Sequence, residues 1–398
     1  MSRWIAMQPI YFDNAATTPL LPAAADAVRR VSLGSANPAS MHRAGQQARQ
    51  ILENAREDVA ARLGADLSAA GGDRLVFTSG GTEANNLALF GLAGNVPGHL
   101  VTTHMEHPSV AKAADELERR GWHVDRLAPN EHGQVEVDTL AAAIRDDTRL
   151  VSVMLVSHET GVIQPTHELA ALCARRRVPL HCDAVQAVGK LPVRFAESGV
   201  TALSFSGHKF HGPTGVGGLL LRRAADLAPR SFGGSQEGSL RPGTQPTGLI
   251  AGMQVALDAS LDRLDAHTTQ VTRLRDHFEA RLAAAVPRIV VHGSAAPRSP
   301  YVSNVSLVGC DRQQMLMALD LAAVACSTGS ACESGSAEPS PTLAAMGCGE
   351  TLLGSAIRFS FSHLNTLAEV DEAVTRIAAV CGRMAGENSA RKAPQSTR

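Results

Sequence analysis

From Arg74 to Leu221 the chain alternates short apolar runs with longer stretches of helical periodicity. Arg74–Thr78, His99–Thr103, Leu150–Val156, Val178–Cys182, Ala202–Ser206 and Val216–Leu221 read as strands. Leu150–Val156 (LVSVMLV) lacks polar alternation, the mark of a strand covered on both faces. Thr82–Ala93, Val110–Arg120 and Glu168–Arg177 read as helices between them. Such alternation builds βαβ units, so the pattern predicts an α/β fold with a mostly parallel central sheet flanked by helices. The pattern changes near residue 260. An amphipathic stretch, Leu249–Ala284 with internal breaks, leads to Val302–Leu307, Cys310–Leu319 and Ile357–Ser360, which suggest a smaller α+β layer. The expected division is a large α/β domain over 19–260, a small α+β domain made of 1–18 and 261–385, and a disordered polar tail over 386–398.

Composition narrows the class. Of 398 residues 44% are apolar and 19% charged, which excludes a disordered chain and supplies a sizeable core. Lys plus Arg is 37 against 38 for Asp plus Glu, so no net field draws the whole chain onto nucleic acid or an anionic membrane. No apolar run reaches the ~18–20 residues that span a bilayer. Met1–Ile10 has no signal-type apolar segment, so the cytoplasm is the expected compartment. The seven cysteines are odd in number and include no CxxC pair, which argues for free thiols rather than a disulfide framework or a zinc site. No metal is expected.

Candidate chemistry begins at Ser204–Lys209, which closes a buried strand and precedes the glycine-rich Gly212–Gly218. A lysine just past a strand end lies where α/β sheets bind ligands, and its amine forms Schiff bases once its pKa is lowered. Alone, Lys209 reads better as a solvated loop residue. Asp183 follows the strand Val178–Cys182, where a carboxylate either holds a pyridine nitrogen protonated or caps a helix. Thr78–Glu83, with Gly80 and Gly81, joins a strand to a helix, and a helix start offers free N–H groups to a phosphate. Phosphate turn, acid and lysine in this order point to a pyridoxal 5'-phosphate (PLP) enzyme.

Further segments carry a resemblance. They are Tyr11–Pro19, Asn37–Ser40, Met105–His107, Gly161–Pro165, Asp183–Gln186, Ser206–Lys209, Arg241–Thr244 and Ser355–Ser360. With Thr78–Glu83 they cover nearly the whole chain, which resembles the cysteine desulfurases of the NifS/IscS type. These are fold-type I, class V aminotransferase-like PLP enzymes. The resemblance implies a homodimer that converts L-cysteine to L-alanine and hands the sulfur to an acceptor protein, an iron–sulfur scaffold among the candidates. It implies that Lys209 forms the Schiff base and shuttles the substrate Cα proton. Asp183 would pair with the pyridine nitrogen, Gln186 would bond the phenolic oxygen, and His107 would stack on the ring and transfer protons. Gly81, Thr82, Ser206 and His208 would hold the phosphate, with Thr244 reaching it from the other subunit. Arg358 would take the substrate carboxylate in a bidentate contact, aided by Asn37.

The segment Cys326–Ser340 decides among PLP chemistries. Small residues surround Cys332, so an exposed loop thiol is expected, and the family pattern makes Cys332 the persulfide acceptor. Cys326 and the other five cysteines read as structural. The chain departs from the family at Ser157-His158-Glu159, where the second of two asparagines is replaced by His158. In that position His158 would contact cofactor and substrate as a bulkier, titratable donor, or reflect neutral drift. Selenocysteine lyase and class V aminotransferase are alternatives on the same fold, and a non-catalytic sulfur-carrier scaffold is a third. Neither membrane nor nucleic acid is expected as a partner.

Overall fold

The computed structural model describes residues 8–34, 36–68, 72–329 and 339–392, with side chains described to residue 384. Among the described residues twelve strands run in chain order as β1 (Ile10–Tyr11), β2 (Arg74–Thr78), β3 (His99–Thr103), β4 (His123–Leu127), β5 (Thr148–Met154) and β6 (Leu180–Asp183). They continue as β7 (Ala202–Ser206), β8 (Gly217–Leu221), β9 (Ile289–Val291), β10 (Val302–Leu307), β11 (Val324–Ala325) and β12 (Ala356–Ser360).

Seven of them form the central sheet in the order β2-β8-β7-β6-β5-β3-β4. Only β8 runs against its neighbours. The other pairs, β3–β4, β3–β5, β5–β6 and β6–β7, are parallel. The expected mostly parallel sheet flanked by helices is therefore what forms. β3, β6, β7 and β8 are buried along their whole length, as strands covered on both faces must be. Sequence reading missed β4 because HVDRL sits at the sheet edge, where only Val124 and Leu127 are buried and apolar periodicity is lost.

The amphipathic stretch expected over Leu249–Ala284 is two helices, Thr247–Asp262 and Leu264–Ala285, interrupted at Arg263 (φ −121°, ψ 20°). The first packs on the main core, contributing Ile250, Met253 and Leu257. The second contributes Val271, Leu274, Phe278 and Leu282 to a separate core with the antiparallel sheet β12-β10-β9. Ile10 and Phe12 join that second core, because β1 pairs in parallel with β11. The helix starting at Leu367 runs to Lys392, so the stretch from Gly386 expected as a disordered tail opens as helix. Its Ala, Glu, Arg and Lys residues are good helix formers that the polar composition concealed. Among the described residues no helix is long and apolar enough to cross a membrane.

Phe278 is fully buried at the centre of the second core, its ring centroid 4.9 Å from that of Phe359 and 5.3 Å from that of Phe361. Phe278→Ala is expected to cost about 3–5 kcal/mol of stability, read by denaturant unfolding.

Candidate active site

Parallel strands end on one edge of a sheet and leave a crevice beyond their carboxyl ends. Here β2, β3, β5, β6 and β7 deliver Gly81 and Thr82, His107, His158, Asp183, and Ser206 to Lys209, respectively, to one cavity. Gln186, after β6, and Arg358, on β12 of the second sheet, complete its polar lining.

The helix Gly81–Ala93 points its first turn into this cavity, and its N-cap, Gly80, supplies no side-chain cap. Gly81 has to be glycine, because a Cβ there would stand 2.6 Å from Cγ2 of Val185. Beside this open helix start, Oγ of Ser206 is buried and has no hydrogen-bond partner among the described residues. Free N–H groups and an unpartnered hydroxyl fit an anionic group such as a phosphate. His208, on the next turn, bonds Oγ1 of Thr17 through Nδ1. Burial, then Lys209 and Lys190, lower its pKa to about 4, so it is a neutral imidazole here.

Asp183 is held at both carboxylate oxygens. Oδ1 accepts from the Val185 N–H at 2.9 Å and Oδ2 accepts from Nδ2 of Asn85 at 2.6 Å. Asn85 also donates to Oγ of Ser109, which bonds Nδ1 of His107 at 2.8 Å. The Ser109 N–H donates to that same Nδ1, so the His107 proton sits on Nε2. Asn85 and Ser109 escaped sequence reading. Asn85 lies three residues after Thr82, on the same helix face, and that spacing was the available signal.

Lys209 Nζ donates to the carbonyls of Ala15 and Ala16 at 2.6 and 2.8 Å. Gln186 Nε2 donates to the Ala15 carbonyl too, and its Oε1 accepts from Lys190 Nζ at 2.9 Å. Lys190 is buried, and desolvation, reinforced by Lys209 and Arg358, lowers it to about 7. Sequence reading gave no hint of it.

Arg358 is 1% exposed. Nη1 donates to the His158 carbonyl and Nη2 to Oδ1 of Asp13, while Nε has no partner among the described residues. His158 packs edge-on to His107, centroids 5.3 Å apart, and neither of its ring nitrogens makes a hydrogen bond among the described residues. Burial, then His107, Arg358 and Lys209, hold it well below its ordinary pKa.

Two expected residues lie elsewhere. Asn37 and Thr244, both exposed, line a separate groove, and Oδ1 of Asn37 accepts from the Ala39 N–H in a local turn. Cys332 falls outside the described residues. The ends of its segment are anchored at the site. Ser327 exchanges both backbone hydrogen bonds with Arg358, and Ser340 Oγ donates to Oε2 of Glu159 at 2.5 Å. Cys326 is half-buried against the second core, and desolvation raises its thiol pKa, which fits its reading as a structural thiol.

A lysine, a fixed carboxylate and an open helix start converging on the carboxyl edge of a mostly parallel sheet define a lysine-dependent cofactor enzyme. The chain belongs to the aminotransferase class-V family, whose model matches residues 10–373. Members of that family are PLP-dependent. The cysteine desulfurase of Nostoc sp. is 38% identical over 371 residues, 92% of each chain. The solved structure of a NifS-like protein from Rickettsia africae superposes with a TM-score of 0.86 at 26% identity, covering 94% of this chain and 99% of that one. SspA, solved in complex with cysteine, superposes with a TM-score of 0.77 at 30% identity, covering 90% of this chain and 100% of that one.

Behind the cavity Glu106 is fully buried. Its Oε1 accepts from Thr103 Oγ1 and the Met154 N–H, and burial pushes its pKa up from 4.5 to about 8. Between these two values the folded protein holds a proton that the unfolded chain has released, so stability falls as pH rises through that window. Glu106→Gln keeps the accepting oxygen and is expected to flatten this dependence, a difference on the order of 5 kcal/mol at its upper end, measured by urea unfolding across the range.

Proposed function

We propose that this protein is a PLP-dependent cysteine desulfurase. It converts L-cysteine to L-alanine and takes the sulfur onto Cys332 as a persulfide for transfer to an acceptor. The observation that carries the reading is the convergence of Lys209, the doubly held Asp183 and the uncapped start of helix Gly81–Ala93 on one cavity that also holds Arg358. The relatives named above supply the substrate.

PLP, when bound, supplies the electron sink that acidifies the substrate Cα–H and lets the Cβ–S bond break. The remaining tasks belong to the chain. Lys209 anchors the cofactor and moves the Cα proton through Nζ. The Asp183 carboxylate keeps the pyridine nitrogen protonated, and its two hydrogen bonds fix its orientation. Thr82, Ser206, His208 and the N–H groups beginning at Gly81 receive the phosphate. The second N–H of Gln186 Nε2 serves the phenolic oxygen. His107, with its proton on Nε2, presents a donor to the cavity. Arg358 binds the substrate carboxylate, its guanidinium oriented by Asp13 and the His158 carbonyl. The Cys332 thiolate attacks the substrate sulfur. The new S–S bond forms as the Cβ–S bond breaks, with its electron pair left on the carbon side. The carbon is reduced and, once protonated, leaves as alanine, while the two sulfurs become the persulfide. A thiol acceptor or reductant then takes the outer sulfur.

The active form is a homodimer in this proposal. Thr244 is presented on an exposed groove away from its own chain's cavity, as a residue serving the partner's phosphate would be, and Asn37 shares that groove. We also divide the chain into the large and small domains given above, a division supported by the two separate apolar cores.

Holoenzyme given L-cysteine and a reductant is expected to release sulfide and alanine in equal amounts. Cys332→Ser should lower sulfide release by about a thousandfold or more while leaving the cofactor's visible band intact. Full turnover by that variant would replace this reading with transamination or selenocysteine cleavage. His158→Asn is expected to shift the pH–rate profile or the KM for cysteine. If both stay unchanged, His158 takes no part in substrate placement.

A further inference from the structure

The opposite, amino-terminal edge of the central sheet carries a second cluster. His99 and His123 are the first residues of β3 and β4 and face each other in the parallel register of that pair. Asp125 lies two residues along β4, on the same face as His123. One ligand atom from each of the three lies within 4.8 Å of the others. We propose that His99, His123 and Asp125 form a binding site for a first-row divalent cation of the zinc type at the free edge of the sheet.

Three observations carry this. First, the His99 side chain is fully buried, and its Nε2 meets the Asp125 carboxylate in a close contact that is not a well-aligned hydrogen bond. Asp125 Oδ2 stands 3.1 Å away but off the direction an Nε2–H would need. A ligand oxygen that shares a metal with a ring nitrogen sits off the nitrogen's lone-pair axis in just this way. Second, Asp125 offers Oδ2 to His99 and Oδ1 to Nε2 of His123, each at 3.1 Å. Zinc bonds to nitrogen and oxygen of ~2.0–2.2 Å at a tetrahedral angle put such atoms about 3.4 Å apart, so an outward shift of a few tenths of an ångström admits the ion. Third, the other nitrogen of His99 has a partner. Nδ1 lies 2.8 Å from Thr148 Oγ1, which accepts from the Arg145 N–H at 2.7 Å. Thr148 can accept from Nδ1–H when Nε2 gives its lone pair to a metal, the outer support that ligating histidines normally have.

The charges around the cluster agree. Arg145, the cation near it, is paired with Asp147 at 3.1 Å. The His123 side chain is 59% exposed and that of Asp125 38%, which gives the ion a path in and leaves its fourth position to water. Sequence alone conceals the site, because its two histidines lie on different strands that only the register brings together. The three ligands tie β4, the edge strand, to β3. This fits a structural role remote from the cavity at the carboxyl edge.

The test is zinc binding to holoenzyme freed of metal by a chelator, with Zn²⁺ as the only added ion. About one equivalent per chain should survive gel filtration, and zinc should raise the unfolding temperature, since the three ligands come together only in the folded chain. Thiols bind zinc too, so Cys332→Ser is the control and should retain both effects. His123→Ala and Asp125→Asn should weaken binding by at least tenfold to a hundredfold and abolish the thermal shift, and Thr148→Val should weaken it by about tenfold. The visible band of the cofactor and desulfurase turnover, unchanged in His123→Ala, certify a folded protein. Zinc retention equal in wild type, His123→Ala and Asp125→Asn, or retention lost in Cys332→Ser, would overturn the assignment, as would no binding at all.

Discussion

Positive charge gathered where water is scarce is the constraint on which the site depends. Lys190, Lys209 and Arg358 lie close enough that the latter two help to lower Lys190 to about 7. On the anionic side of the cavity are Asp183, committed to Asn85 and the Val185 N–H, and Asp13, committed to Arg358. The open helix start adds its own partial positive charge. Such a cavity is incomplete electrostatically until anionic groups enter it. In the proposed function, a phosphate at Ser206 and a substrate carboxylate at Arg358 would answer that need. Burial, reinforced by the same field, holds the pKa values of His158 and His208 below the ordinary imidazole range, so they do not add to the positive charge.

The architecture converts this chemistry into positions. Parallel strands hand over one functional segment each at a common edge, so residues more than a hundred positions apart meet without any long loop. Arg358 is the exception. It comes from β12 in the other sheet, and its backbone pairs with Ser327 while its side chain reaches Asp13. The second core around Phe278 therefore positions a residue in a cavity that the main sheet otherwise builds.

Much of this was legible in the chain. Strands of continuous apolar residues predict themselves, and Lys209, Asp183 and Gly81 stand at strand ends where punctuation by glycine and small polar residues marks a turn. What escaped was polar support from inside elements. Asn85 and Lys190 sit within helical or turn segments whose periodicity says nothing about partners, and Glu106 looks like any loop acid until its burial is seen. Edge strand β4 escaped for a related reason. Half of it faces solvent, so its sequence carries no alternation to read. The helix through Lys392 shows the converse error, in which a charged composition hides strong helix propensity.

The two backbone hydrogen bonds between Ser327 and Arg358, at 2.6 and 3.1 Å, set a tether length. Gly329 lies near Glu159. Cys332 follows three residues later, and three residues of fully extended chain span at most about 11 Å. In the proposed reaction, a thiol within that reach of Gly329 would act at high effective concentration on a substrate bound in the cavity. The burden of travel would then fall on the recipient: a protein that collects the sulfur would have to bring its own nucleophile to the mouth of the cavity.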